Sequence, residues 1–285
     1  VNAITPVSEI AEWLHGRTVI WRALAVLKSY FDESDTHGEA SATSIAGYVA
    51  TEATWNAFEA DWAKELARYA EYGVTTFHMA PCLAGYGEFS RLDSFWRNQL
   101  VLDMGRVLER HDLQPVWSAV VVEDWGTVTD KEFLARYPKP FDLCFEHTII
   151  QLWEWAQETT SGERVAPMFA ITKEYLPRMA EIGAAYLASD WYGEFLAPIA
   201  FGRPSNVLPL QAADFMAHEA SEQVRHLEYD VLTIRNGGPR YAYNLATKAR
   251  GAHVGGYFDA KALASTVRRF KETGTIFGNG LGGKR

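Results

Sequence analysis

Between Leu24 and Phe31 the chain is apolar except at Lys28 and Ser29, and it then runs directly into Asp32-Glu33-Ser34-Asp35. A short run of this kind reads as a mostly buried strand whose end is rich in carboxylates. A buried strand needs neighbours in a sheet and cover on its faces. Several acids packed at its end repel one another unless a cation or protons compensate them.

The rest of the chain supplies the neighbours and the cover. Ser44 to Val49 follows the turn-like Thr36-His37-Gly38 as a second strand, so the first two strands form an antiparallel pair. Trp55, Phe58, Trp62, Leu66 and Tyr69 recur at helical spacing within residues 52 to 72, and Gly73 closes that helix. Val74 to Met79 reads as a third strand, residues 92 to 110 as a helix and the β-branched run Val116 to Val122 as a further strand. Then come a helix from about Phe141 to Glu158, a strand at Val165 to Phe169, a helix over 173 to 187 and a short strand near Leu196 to Phe201. A helix from Leu208 to about His226 carries Gln211, Asp214 and His218. Before all of these, Ser8 caps a short helical pattern, Glu9 to Leu14. After them, Gly237-Gly238-Pro239 breaks the chain ahead of a more basic, glycine-punctuated tail. An antiparallel opening followed by alternating strands and helices predicts an α/β fold: a mixed sheet flanked by helices, with N- and C-terminal additions.

Composition narrows the function. The chain has 36 acidic and 27 basic residues, a net charge of -9, which argues against a broad electrostatic footprint for duplex nucleic acid and leaves room for a confined basic groove. Cys82 and Cys144 are the two cysteines, too few for a disulfide framework or a four-thiolate zinc site, and both read as buried thiols. The apolar stretch Ala23 to Leu27 is too short for a signal or a membrane span, so the expectation is a cytoplasmic protein with no membrane partner. No phosphate-binding glycine loop, dinucleotide fingerprint, nucleophile elbow or zinc-protease helix is present.

Two acids stand out. Asp32 and Glu33 point to opposite faces of a strand, so only one of them can lie on the face that carries a site. Asp214 sits among alanines and Phe215 on a core-facing helix, where an unpaired acid is costly. Its partner is either a metal shared with Asp32 or His218, one turn further along. His78, at the end of the expected third strand, is a candidate for orienting a phosphate. Glu146 and His147 adjoin on a helix, cannot share a face and read as surface residues.

The segment Ser29 to Asp35, taken with Val207 to Glu219 and its Leu210-Gln211-Ala212-Ala213-Asp214, resembles the domain-of-unknown-function 3800 family, regarded as ribonuclease H-like. Members open with a strand ending in Asp-Glu-Ser and close the sheet with a Leu-Gln-x-Ala-Asp helix. Here the two motifs stand in that order about 180 residues apart, and Phe77-His78-Met79 looks like the family's strand ending in histidine. The resemblance covers roughly residues 26 to 260. It implies an N-terminal helical extension over 1–22, a ribonuclease H-like domain over 23–260, and a C-terminal helix and flexible tail over 261–285. It also implies a metal-dependent, nuclease-like phosphodiesterase acting on nucleic acid, with Asp32 and Asp214 binding Mg²⁺ or Mn²⁺. Glu33 joins them as a catalytic acid, and His78 and Gln211 lie at the substrate. Many relatives carry an aspartate just after the strand matching Val165 to Phe169, where this chain has Ala170. That departure implies an impaired site unless Glu33, Glu174 or Glu219 compensates, and it makes a catalytically silent protein that binds nucleic acid or a protein partner the alternative.

Overall fold

The computed structural model describes residues 27–34, 41–159, 163–187, 192–229, 241–247 and 254–276. The expected N-terminal helix, the turn at Thr36-His37-Gly38 and the end of the tail lie outside them. The apolar opening run is strand β1 (Leu27–Ser34), and it is central, with a neighbour on each side. It pairs antiparallel with β2 (Ala42–Thr51), which pairs antiparallel with β3 (Gln114–Val121). On its other side lies β4 (Val165–Ala170), parallel to it, and beyond that β5 (Ala200–Gly202). β6 (Val254–Phe258) adds in parallel outside β3, giving the order β5-β4-β1-β2-β3-β6. This is the α/β mixed sheet flanked by helices that the sequence predicts.

Helices cover both faces: α1 (Glu52–Ala67), α2 (Met79–Ala84), α3 (Ser94–Arg110), α4 (Pro140–Thr159), α5 (Leu176–Leu187), α6 (Leu208–Tyr229), α7 (Tyr241–Thr247) and α8 (Ala260–Thr273). Strand alternation sorts the core. Tyr30, Ala46, Tyr48, Met168 and Ala170 pack toward α1, α3 and α6. Phe31, Ile45, Val49 and Phe169 pack toward α4 and α5. α1 forms because Thr51 accepts the Thr54 N–H at its start, and Trp55, Phe58, Trp62 and Leu66 supply one buried stripe. α6 lies close on the sheet, held by Ser44 Oγ donating to the Ala217 carbonyl at 2.8 Å and Ser221 Oγ to that of Ala42 at 3.2 Å. Between β1 and β2 there is no room for a side chain at Gly47, where a Cβ would fall 1.8 Å from the Tyr30 carbonyl oxygen.

Three expectations are corrected and a fourth is narrowed. Val74 to Met79 is not a strand, because its amides are taken by side chains rather than by a neighbouring strand. Glu88 accepts the N–H groups of Thr75 at 2.7 Å and Thr76 at 2.9 Å, Gln211 that of Phe77 and Asp214 that of Met79. Second, the glycine-rich tail contains β6. Its Gly255 is required by the neighbouring strand, since a Cβ there would meet the Trp117 indole nitrogen at 2.3 Å. Third, Glu146 and His147 are not surface residues, because α4 is enclosed by the sheet and α5. Glu146 is buried and accepts from Arg136 at 2.6 Å and from the Tyr186 hydroxyl at 2.5 Å. His147 Nδ1 lies 2.9 Å from Ser118 Oγ, and burial pushes its imidazole down to about 4. The strand expected from Leu196 shrinks to Ala200–Gly202, preceded by a single bridge between Leu196 and Val165. No described helix is long and apolar enough to cross a membrane.

Candidate functional site

The site grows from the end of β1. Asp32 alternates with Tyr30 and so lies on the α6 face of the sheet, opposite Ala46 of β2. Only 9% of it is exposed, and its Oδ1 accepts the neighbouring Glu33 N–H at 2.9 Å. Burial first, then the charges of Glu33 and Asp214, push its carboxyl well above the usual range.

Asp214 comes down from α6 and is 8% exposed. Its Oδ2 accepts the Met79 N–H at 2.6 Å, and its Oδ1 lies 3.4 Å from His78 Nδ1. Burial pushes this carboxyl up too, against the opposing pull of His78, the Met79 N–H and His218. Of the two partners weighed for Asp214 from sequence, half-buried His218 acts on it by attraction, while the Asp214 charge raises the Asp32 carboxyl across the site.

The other expected residues divide. His78 stands beside Asp214 with 54% of its side chain exposed, as the residue preceding α2 rather than the end of a strand. Gln211 is buried and engaged by three hydrogen bonds. Its Oε1 accepts from Trp62 Nε1 and the Phe77 N–H, both at 3.0 Å, and its Nε2 donates to the Pro204 carbonyl at 2.9 Å. It therefore stands behind the site, where it fixes the 77–79 segment. Glu33 is half-buried, and its carboxylate accepts the Thr172 hydroxyl just past β4. Glu174 pairs with Lys139 on the surface, and Glu219 is fully buried near Tyr48, so neither joins Asp32.

Ala170 ends β4 on the same sheet face. Phe31 pairs with Phe169, so the next residues along, Asp32 and Ala170, lie side by side across the two strands. A methyl group occupies the corner where the family resemblance implies an acid. Among the described residues no group of three or more His, Cys, Asp or Glu side chains is arranged to hold one ion. The Met79 amide and Glu88 were not visible as site-forming groups, since neither a backbone N–H nor a lone glutamate in Gly87-Glu88-Phe89 carries a pattern.

No family model matches the chain, and no curated protein does. Among solved structures, the crystal structure of Bst-RNase HIII in complex with Mn2+ is loosely similar, at 12% identity and a TM-score of 0.35, over 85% of this chain and 81% of that one. A likeness at that score says nothing of what this site binds or does.

Proposed function

We propose that the chain is a divalent-cation-dependent, nuclease-like phosphodiesterase of attenuated activity, with Asp32 and Asp214 as the ligands of one Mg²⁺ or Mn²⁺. The observation that carries this reading is the electrostatic state of the pair. Two buried acids from distant segments meet on one sheet face, both pushed above the usual carboxylate range, and no lysine or arginine pairs with either among the described residues. Such a pair calls for a cation or a proton. The donor set fits a hard ion, because Mg²⁺ commonly takes one or two carboxylates and fills its other positions with water and substrate phosphate oxygens. When bound, the ion would supply an activated water and offset charge on the phosphate.

The chain's own residues then have assignable parts. Asp32 and Asp214 bind, Glu33 holds the loop after β4 through Thr172, and exposed His78 donates to a phosphate oxygen while keeping its contact with Asp214. Gln211 and Glu88 are positioning residues, because they fix the 75–79 backbone that presents His78 and the Met79 amide. The same reading places the chain in the domain-of-unknown-function 3800 family, with its ribonuclease H-like domain over 23–260 and a terminal addition at either end.

A second reading, binding of nucleic acid without cleavage, is favoured by one observation, the Ala170 methyl beside Asp32. The two separate in a cleavage assay on single-stranded and duplex substrates. Under the first reading, cleavage is weak with Mg²⁺, stronger with Mn²⁺ and lost in Asp32→Asn, and Ala170→Asp raises Mn²⁺ affinity by roughly tenfold or more. Brisk Mg²⁺-dependent cleavage that survives Asp32→Asn sinks the site assignment. Binding with no cleavage, even in Ala170→Asp, leaves the second reading standing.

A further inference from the structure

Four large hydrophobic side chains are exposed among the described residues: Tyr86 at 56%, Phe95 at 66%, Trp96 at 41% and Ile171 at 37%. Three fall within eleven residues, and the fourth directly follows Ala170. Single exposed apolar residues are ordinary, but their concentration beside a candidate site is not. We infer that Tyr86, Phe95 and Trp96 form a stacking shelf for the unpaired bases of a single-stranded nucleic acid whose backbone runs to Asp32 and Asp214. This inference rests on the nucleic-acid reading above.

Phe95 and Trp96 are held at the start of α3, and α2 ties that region to the site. Asp93 caps α3 by accepting the Trp96 N–H at 2.9 Å, and the Trp96 ring stacks on Tyr72 with centroids 6.3 Å apart and planes at 29°. Phe95 meets Trp96 edge-on at 5.4 Å. α2 joins the shelf to the site. Its first amide, that of Met79, binds Asp214, and its six residues span about 9 Å at helical rise before Gly85 passes close to the Arg97 guanidinium. Cys82, in that helix, feels the charges of both Arg97 and Asp214. The Arg97 guanidinium, next in sequence to Trp96, thus lies against the C-terminal end of α2 and donates to the Leu92 carbonyl at 2.9 Å.

Size and charge select the occupant. Three partly exposed rings offer roughly 350 Å² if each contributes about half of an aromatic side chain's area. A stable protein interface needs about 800 Å² per partner, whereas two or three stacked bases need no more than the rings provide. Base stacking is tolerant of sequence, because every base has a π-face. Single strands also depend less on phosphate neutralisation than duplex does, about 0.7 against 0.9 counterions released per contact, which matters for a chain of net charge -9. The acids beside the shelf are engaged as acceptors, Glu88 by Thr75 and Thr76 and Asp93 by the α3 cap.

The test is fluorescence anisotropy of labelled dT12, rU12 and a blunt 12-base-pair duplex with the full chain in EDTA at low salt. The expected result is tighter binding of one or both single strands than of the duplex. Trp96→Ala should weaken single-strand binding by roughly tenfold with duplex binding unchanged, and Trp96→Phe should restore most of it. Phe95→Ala serves in its place if Trp96→Ala melts early. The two single-stranded probes distinguish DNA from RNA. Equal affinity for strand and duplex, untouched by either alanine variant, overturns the shelf and leaves the nucleic-acid reading intact. No binding of any probe in EDTA overturns the shelf, and the cation-dependent reading is then decided by the Mn²⁺ cleavage assay above. Self-association that Trp96→Ala abolishes, without oligonucleotide binding, makes the patch a contact between copies and overturns the inference.

Discussion

Asp103 and the Asp32–Asp214 pair are carboxylates buried to a similar depth, and the fold treats them in opposite ways. Asp103 accepts the Tyr69 hydroxyl at 2.9 Å, the Gln99 amide at 2.7 Å and Arg106 at 2.8 Å, with Arg68 at 3.4 Å. Four donors, two of them guanidinium groups, stand in for the lost water. Asp32 receives one adjacent backbone N–H and faces two like charges, while Asp214 receives one amide and a histidine at 3.4 Å. Burial alone therefore does not mark a functional acid. What sets the candidate pair apart is burial without the donors that the same fold supplies to Asp103.

The contrast can be attacked from either side. The largest effect is expected at the satisfied acid. Asp103→Ala strands Tyr69 and Gln99 and should cost about 3 kcal/mol in urea unfolding, leaving metal binding alone. A loss under about 1 kcal/mol would mean that the four donors were never stabilising. Next comes the clamp behind the site. Gln211→Ala leaves the Trp62 indole and the Phe77 amide unpaired, at a cost of about 2 kcal/mol, and should lower Mn²⁺ affinity by about tenfold because the Met79 segment loosens. Intact affinity in that variant would remove Gln211 from its positioning role.

A smaller effect of opposite sign is expected at Asp32. Its carboxyl is raised in the fold, so between the unfolded value near 4 and the raised one the native state binds more protons, and stability falls as pH rises through that window. Asp32→Asn should therefore stabilise the metal-free protein at pH 7 by on the order of 1 kcal/mol. The gain should shrink on acidification and vanish below about pH 4. Thermal melts of both proteins across pH 3.5 to 7, a range set by the ordinary carboxylate value, check this. A gain that does not change with pH would trace to packing rather than to charge.

These outcomes bear on what could be read from the sequence. Elements with a strong period were legible: the Trp55, Phe58, Trp62, Leu66 stripe of α1 and the β-branched β3 fall where their patterns say. Val74 to Met79 misled because β-branched residues favour strands only when a neighbour takes their amides, and here Glu88, Gln211 and Asp214 do so. β6 was hidden because its Gly255 answers to Trp117, a demand made by the adjoining strand and absent from the local sequence. At the site, Asp32 could be singled out as part of a carboxylate run ending an apolar strand, and Asp214 as an acid among alanines and Phe215. Gln211 stood out only through the motif of the resembled family, and its partners come from Trp62, Phe77 and Pro204, which no local pattern links.

The most direct test of the account is calorimetric titration of Mn²⁺ into the metal-free wild type, Asp32→Asn, Asp214→Asn and Asp103→Asn. One ion should bind wild type and Asp103→Asn alike, and the two site variants should lose at least about tenfold in affinity. Equal heats in all four proteins, or no binding by the wild type at millimolar Mn²⁺, a concentration at which even a weak site of about 4 kcal/mol begins to fill, would contradict the claim that Asp32 and Asp214 are a metal site.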